Sequence, residues 1–270
     1  MNTQVSYATN LDNKHLGSLS SIERTAYSVE GNLNAKFDIG VILPTYCEAA
    51  NIGQLIQEIE ALAQRICILV IDDSSPDETA NIVRSLQKKY NNILLLSRPK
   101  KYGLGTAITD GFKIFLSLEN PPEYMVTMDA DYSHNPKDVP RVVSAAKEGK
   151  GLAIGSRYCK GGRIINWSLF RLVTSRIANL IASVLVKAQI HDYTSGLRCY
   201  STKLVRAIVT DLHSQTYEIQ IETVRQARRK KFDVREVPMT FVNRKKGKSK
   251  LTPNEIKEFI SYILIKVRNL

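Results

Sequence analysis

The sequence predicts an α/β fold in which a mostly parallel sheet carries helices on both faces. Two observations support that expectation. From residue 37 onward, short apolar runs with strand character alternate with longer segments of helical spacing, a pattern built as strand, crossover helix and parallel strand. The chain has 270 residues, 43% of them hydrophobic and 24% charged, which is enough for one large globular domain or two small ones.

The elements follow in order. "IGVILP" (residues 39–44) reads as a buried strand, "NIGQLIQEIEALAQ" as a helix, "ICILVI" (66–71) as the second strand and "DETANIVRSLQKKY" as the second helix. "NILLLS" is a third strand, "GTAITDGFKIFLSL" a helix, "YMVTMD" a fourth strand, "DVPRVVSAAKEG" a helix and "GLAIGSR" a further strand. In such folds ligands bind beyond the carboxyl ends of the strands. The loops to inspect are therefore "PTYCEAAN", "DDSSPDET", "DADYSH" and "GSRYCKGGR".

Three of those four loops carry carboxylates. Acidic groups gathered at one edge repel each other, so a cation or ligand hydroxyls are expected to hold them there. In "TMDADYSHNP" the pair Asp129 and Asp131 suits a magnesium or manganese ion, which normally completes its octahedron with water and substrate phosphates. The implied substrate is a diphosphate. Alone the pattern is weak, because acidic turns after strands are common.

Other classes fit less well. The glycines of "KYGLGTA", Gly103 and Gly105, lack a third partner and follow the third strand, so they read as a turn entering a helix and not as a dinucleotide fingerprint. No GxxxxGK[ST] loop occurs. Cys47, Cys67, Cys159 and Cys199 form no CxxC pair and are expected as free thiols. Residues 1–36 are polar with no apolar signal core, and are expected as a flexible arm. No uninterrupted apolar run approaches the roughly 18 residues of a membrane span, so the chain is expected to lie on a bilayer and not to cross it. Of the net charge of +12, +10 falls in residues 225–270, where 14 Lys or Arg stand against 4 Asp or Glu, and such a tail favours an anionic partner.

Seven ordered motifs then sharpen the picture: PTYxE, DDSSPD, GLGTA, DADxSH, GSRY, the DxTSGxR of "DYTSGLRCY" (192–200) and the RxxGxSK of "RKKGKSK" (244–250). Together, over residues 37–252, they resemble the dolichol-phosphate mannose synthases, inverting family two glycosyltransferases of the Rossmann-like GT-A fold. The resemblance implies a catalytic domain over 37–250. It implies that Pro44, Tyr46, Glu48, Ile71 and Asp73 hold the nucleotide, with Asp72 as support. Asp129, Ala130 and Asp131 would hold the diphosphate of GDP-mannose through Mg2+ or Mn2+, and Arg244 and Lys250 would close over it. Ser133 stands where several members have a metal-binding Gln, and its shorter side chain would need a bridging water. Arg157, Arg171 and Ser175 match positions that receive the phosphate of a dolichyl or polyprenyl acceptor, with Asp131 and Arg157 as catalytic groups.

The chemistry implied is spare. A phosphomonoester has a second pKa of about 6, so the acceptor is already anionic and needs no general base. His134 is then structural or supports the metal's ligands. Residues 166–188 place Phe170, Val173, Ile177, Leu180, Ile181 and Val184 at helical spacing with Arg171 and Arg176 between them, and Trp167 reads as core or as an interfacial anchor. Residues 251–270 read as a second amphipathic helix, with Thr252, Pro253 and Glu255 as a capping box. Both suit a peripheral protein on the cytoplasmic face of a membrane, alone or with a membrane-spanning partner subunit. Three alternatives stay open: a related hexosyltransferase using a UDP-sugar, a nucleotidyltransferase, and a basic nucleic-acid-binding protein. The last leaves the strand-end carboxylates unexplained and interleaves no aromatic platform with its Lys and Arg, so nucleic acid is not an expected partner.

Overall fold

The computed structural model describes residues 28–33, 35–62 and 64–243. Arg244, Lys250 and the expected terminal helix lie outside the described residues, as does most of the expected arm.

The central sheet has eight strands in the order β1-β4-β3-β2-β5-β8-β6-β9. In chain order these are β1 (Ser28–Glu30), β2 (Ile39–Thr45), β3 (Ile66–Asp72), β4 (Ile93–Ser97), β5 (Tyr124–Thr127), β6 (Leu152–Ser156), β8 (Arg198–Ser201) and β9 (Val234–Pro238). Helices α1 (Ala49–Glu60), α2 (Thr79–Gln87), α3 (Leu104–Ser117) and α4 (Val139–Gly149) connect the first strands. Later come α5 (Leu169–Val186), α6 (Thr202–Ile208) and α7 (Ile219–Arg229). A separate parallel pair joins β7 (Arg163–Ile165) to β10 (Thr240–Val242).

The period of two along each strand divides the core between the sheet's faces. Ile42, Leu69 and Ile71 join Phe112 and Phe115 of α3 on one face. Val41, Leu43, Ile68 and Val70 join Ile52, Leu55 and Ile56 of α1 on the other. Both clusters are almost fully buried, which is why the strands read as continuous apolar runs and not as alternating ones.

Four strands, β4, β3, β2 and β5, pair in parallel as expected. Two departures stand out. β8, from the "DYTSGLRCY" segment, lies antiparallel between β5 and β6 and interrupts the parallel order. Residues 28–30, expected within a flexible arm, form an antiparallel edge strand on β4, tied down by the two hydrogen bonds that Arg84 donates to Glu30, each 2.8 Å.

α5 is the apolar helix expected within residues 166–188. Ser168 caps it by accepting the Arg171 N–H, and Lys187 ends it in the left-handed conformation. Only Asn179, Ala182 and Val186 are buried along it, and it packs against α7. Phe170 is 81% exposed, Leu180 65% and Val184 63%, beside exposed Leu169, Val173, Ile177 and Ile181. Arg171 and Arg176 break the apolar run, yet by length and composition α5 reaches what a membrane span requires, which the sequence had not suggested.

Candidate active site

The chain runs from β2 outward to β3 and β4, then returns to place β5 on the other side of β2. The crevice at this reversal is where open α/β sheets bind ligands, and the β2, β3 and β5 ends meet there. Thr45 donates to Asp72 Oδ1 at 3.1 Å, and Ser75 donates to the same carboxylate from its N–H and its hydroxyl at 3.0 and 2.6 Å. Asp72 is therefore a buttress of the turn. The Glu48 N–H donates to Thr79 Oγ1, the Ala49 N–H to Asp77 and the Cys47 N–H to Ser75 Oγ, so the "PTYCE" and "DDSSPDET" turns are laced together. Cys47 and Ser74 both sit at positive φ, 57° and 54°. Non-glycine residues in that region mark strain that surrounding structure must hold, a common feature of ligand sites.

Asp73 is nearly buried and grips Arg98, whose Nε lies 2.5 Å from its Oδ1. Burial pushes the Asp73 carboxyl up, and the Arg98 contact offsets part of that rise. Arg98 is 1% exposed and also donates to Thr106 Oγ1, to Asp110 at 3.1 Å and to the Gly103 carbonyl. It anchors the glycine turn to the β3 end. Gly103 has a φ of 100°, and a Cβ there would lie 2.5 Å from the Gln215 carbonyl oxygen, so the turn is structural, as expected. Tyr46 stands beside Lys101, whose ammonium lies 5.7 Å from its ring centre.

At the end of β5, Tyr132 reverses the chain at a φ of 62° and donates its hydroxyl to Glu58. That turn buries Asp131, which accepts the Ser133 N–H at 3.0 Å, and leaves the Asp129 side chain 39% exposed. His134 is fully buried; its Nδ1 accepts the Asp129 N–H at 3.3 Å and its ring meets Phe241 edge-on at 5.4 Å. It props the turn; with Nδ1 accepting, Nε2 carries the ring proton and has no hydrogen-bond partner among the described residues. Ser133 Oγ, buried beside the acidic pair, has no hydrogen-bond partner among the described residues, an arrangement that natural structures rarely leave empty-handed. Two carboxylates and a spare hydroxyl oxygen fit a hard divalent cation. Among the described residues no group of three or more His, Cys, Asp or Glu could hold a metal alone. An ion here would need substrate phosphates and water to complete its shell. A cavity of about 630 Å³ opens beside this turn, lined by Asp131, Ser133, His134, Asn51, Gln54 and Met239 among others.

The second half of the site lies between β6 and α5. Arg157 is locked to the fully buried Asp192 by Nε at 2.8 Å, Nη2 at 2.7 Å and its backbone N–H at 2.9 Å. Burial alone would push the Asp192 carboxyl up, but Arg157 holds it below the usual aspartate range. The Arg157 guanidinium also sits 5.2 Å from the Trp167 ring and 5.6 Å from Phe241. Arg171 stacks on Trp167 at 4.2 Å and donates to Asn243. Trp167 and Phe241 meet edge-on at 5.2 Å, so the one tryptophan is the platform of an arginine cluster. Ser175 joins through Tyr158, whose hydroxyl lies 2.7 Å from Ser175 Oγ. Arg157 is thus gathered with Arg171 and Ser175 of α5 around the rings of Trp167, Phe241 and Tyr158. Residues 192–198 touch both halves, since a Cβ on Gly196 would lie 2.8 Å from Asp129 Oδ1 while Asp192 holds Arg157.

Against known proteins, residues 40–209 match the model of glycosyl transferase family 2. The chain is 37% identical over 220 residues to the polyprenol monophosphomannose synthase of Mycolicibacterium smegmatis, covering 81% of this chain and 82% of that protein. This chain belongs to glycosyl transferase family 2. The dolichol-phosphate mannosyltransferase of Pyrococcus furiosus is 34% identical over 229 residues, 83% of this chain and 62% of its own length. Among solved structures, glucosyl-3-phosphoglycerate synthase from Mycobacterium tuberculosis, in complexes with Mn2+ and UDP or UDP-glucose, superposes with a TM-score of 0.62 at 17 to 18% identity. One such match covers 87% of this chain and 81% of that one. At that identity the likeness establishes the GT-A fold and no more.

Within this family 2 domain Arg98 and Phe241 belong to none of the quoted motifs, whereas Tyr158 in GSRY and Asp192 and Thr194 in DxTSGxR lay inside motifs without a role of their own; the structure supplies those roles through partners elsewhere in the chain. Pro44 and Ile71 lie in the last residues of β2 and β3, and Ala130 lies beyond the end of β5.

Proposed function

We propose that this family 2 glycosyltransferase moves mannose from GDP-mannose to dolichyl or polyprenyl phosphate with inversion, releasing GDP. One observation carries this reading: the acidic pair at the crevice and the arginine cluster are joined by residues 192–198, and the cluster stands on the helix with the exposed apolar face. A diphosphate donor on one side and a lipid-borne phosphate on the other would meet between them.

Pro44, Tyr46, Glu48, Ile71 and Asp73, at and just beyond the ends of β2 and β3, would seat the nucleoside. Asp129 and Asp131, with Ser133 through a water, would hold Mg2+ or Mn2+, and that ion would supply neutralisation of the departing diphosphate. Arg157, fixed by Asp192, and Arg171, fixed by Trp167 and Asn243, present guanidiniums that need no reorganisation to meet a phosphate. Arg244 and Lys250 are the expected further cations over the donor. Since the acceptor is already charged, these residues orient it and do not deprotonate it. Attack from the face opposite the diphosphate inverts the anomeric carbon.

The decisive assay incubates the protein with polyprenyl phosphate, manganese and, separately, GDP-mannose, UDP-glucose and UDP-N-acetylglucosamine, and identifies the lipid product. Mannosyl lipid from GDP-mannose alone is expected; product only from a UDP-sugar would move the assignment to another hexose, and none with any donor would end it.

The exposed face of α5 would lie on the membrane that carries the acceptor, with the cytoplasmic leaflet as the expected side. Immersing an apolar side chain gives about 1 to 2 kcal/mol when burial is partial. Leu180→Asp with Val184→Asp is therefore expected to weaken binding to anionic vesicles roughly 10- to 100-fold, while activity on a water-soluble short-chain acceptor is retained. Sedimentation with vesicles measures the first and a product assay the second; unchanged sedimentation would remove α5 from the membrane. If a membrane-spanning partner subunit is required, the wild-type chain alone will fail to sediment.

A further inference from the structure

The geometry points to Tyr158 as the positioning residue of the acceptor site, aiming the Ser175 hydroxyl at the acceptor phosphate and holding Arg176 beside it as a third cation. The inference rests on the polyprenyl-phosphate reading above.

The direction of one hydrogen bond carries the first half. Tyr158 and Ser175 share a contact of 2.7 Å. A phenol is a much better proton donor than an aliphatic alcohol, so the tyrosine donates and the serine accepts. Ser175 then keeps its own proton. Helical Ser and Thr usually give that proton to a carbonyl one turn back, as Thr174 does to Phe170 and Ser183 to Leu180. Ser175 makes no such bond among the described residues; its hydroxyl hydrogen remains available for an anion. A serine that had bonded back to its own helix would offer the phosphate lone pairs only.

The ring of Tyr158 carries the second half. Arg176 lies 4.0 Å from the ring centre and Arg157 5.2 Å from it. Arg176 has no salt bridge to a carboxylate among the described residues, so the aromatic contact is what places its charge. The turn bearing Ser175 is fixed a second way. Arg157 Nη2 donates to Thr194 Oγ1 at 2.6 Å, Asn179 donates to the same oxygen at 3.1 Å, and Asn179 also donates to the Ser175 carbonyl at 2.8 Å. Removing the phenol oxygen therefore leaves Ser175 in place and changes only where its hydroxyl turns.

That separation makes the test specific. Tyr158→Phe keeps the ring and the arginine contacts. It is expected to raise KM for a short-chain polyprenyl phosphate about tenfold, the usual effect of one hydrogen bond to a charged group. KM for GDP-mannose and the melting temperature should not move, and kcat should change less than about twofold. Ser175→Ala should match it, and the double variant should be no worse than either single one. Arg176→Gln should raise the same KM roughly threefold to tenfold, with the effect shrinking at high salt. An unaltered acceptor KM in Tyr158→Phe beside an impaired Ser175→Ala overturns the proposal while the mannosyl-transfer reading stands. Multiplying effects in the double variant overturn it equally. Wild-type protein that forms no lipid-linked sugar overturns the underlying reading and the proposal with it.

Discussion

Asp131→Asn is expected to lower sugar transfer by about 10³-fold, the scale lost when a preorganised charge partner of a developing anion is removed. Folding should be nearly unaffected. Asp131 Oδ1 accepts the Ser133 N–H, and an asparagine carbonyl in the same place accepts it equally well. What the substitution removes is the negative charge that draws a divalent cation into the turn beside the unpartnered Ser133 hydroxyl. Manganese binding in the presence of GDP, followed by calorimetry or electron paramagnetic resonance, should therefore weaken in step with turnover. Asp129 is the more exposed of the pair. Retained activity in Asp131→Asn would assign the metal elsewhere.

The second large effect is on stability. Asp192→Asn keeps the size of the side chain but leaves Arg157, 7% exposed, as a buried cation without its counter-ion. Breaking such a pair from one side costs about 3 to 5 kcal/mol. The pH dependence follows from the depressed carboxyl. A group held below its unfolded value of about 3.9 stabilises the fold above that pH, and the contribution is lost as pH falls through the folded value. Urea unfolding at pH 7 should show the full difference between wild type and variant, and the gap should narrow below about pH 4. A gap that is constant with pH would mean that the pair contributes through shape and not through charge.

Much of the sheet was legible because β2, β3, β4 and β6 are buried on both faces and therefore read as unbroken apolar runs. The three- and four-residue strands β1, β7, β8 and β10 were not legible. Their pairing is decided by neighbours far away in sequence, which no local period records. The rule that ligands gather at strand ends pointed to the loops and to the pair Asp129 and Asp131, while the nucleotide residues Pro44, Tyr46, Glu48, Ile71 and Asp73 were implied by the resemblance. The acceptor half was likewise implied by resemblance, because Arg157, Arg171 and Ser175 acquire meaning from Asp192, Trp167 and Tyr158 through contacts that no strand or helix period records. Arg98 was missed for the same reason: its four partners come from the β3 end, the glycine turn and α3.

The antiparallel strand β8 also sets an order of events as the chain is made. β5 and β6 are successive strands in the sequence yet never touch as neighbours; each pairs with β8, which is synthesised later. The first four parallel strands can assemble from local crossovers while Leu152–Ser156 still waits for Arg198–Ser201. During that wait α5 has already emerged, with its apolar side uncovered. A nascent chain in this state is prone to aggregate in bulk water, whereas a nearby bilayer would shelter it, so synthesis beside a membrane should raise the yield of folded enzyme.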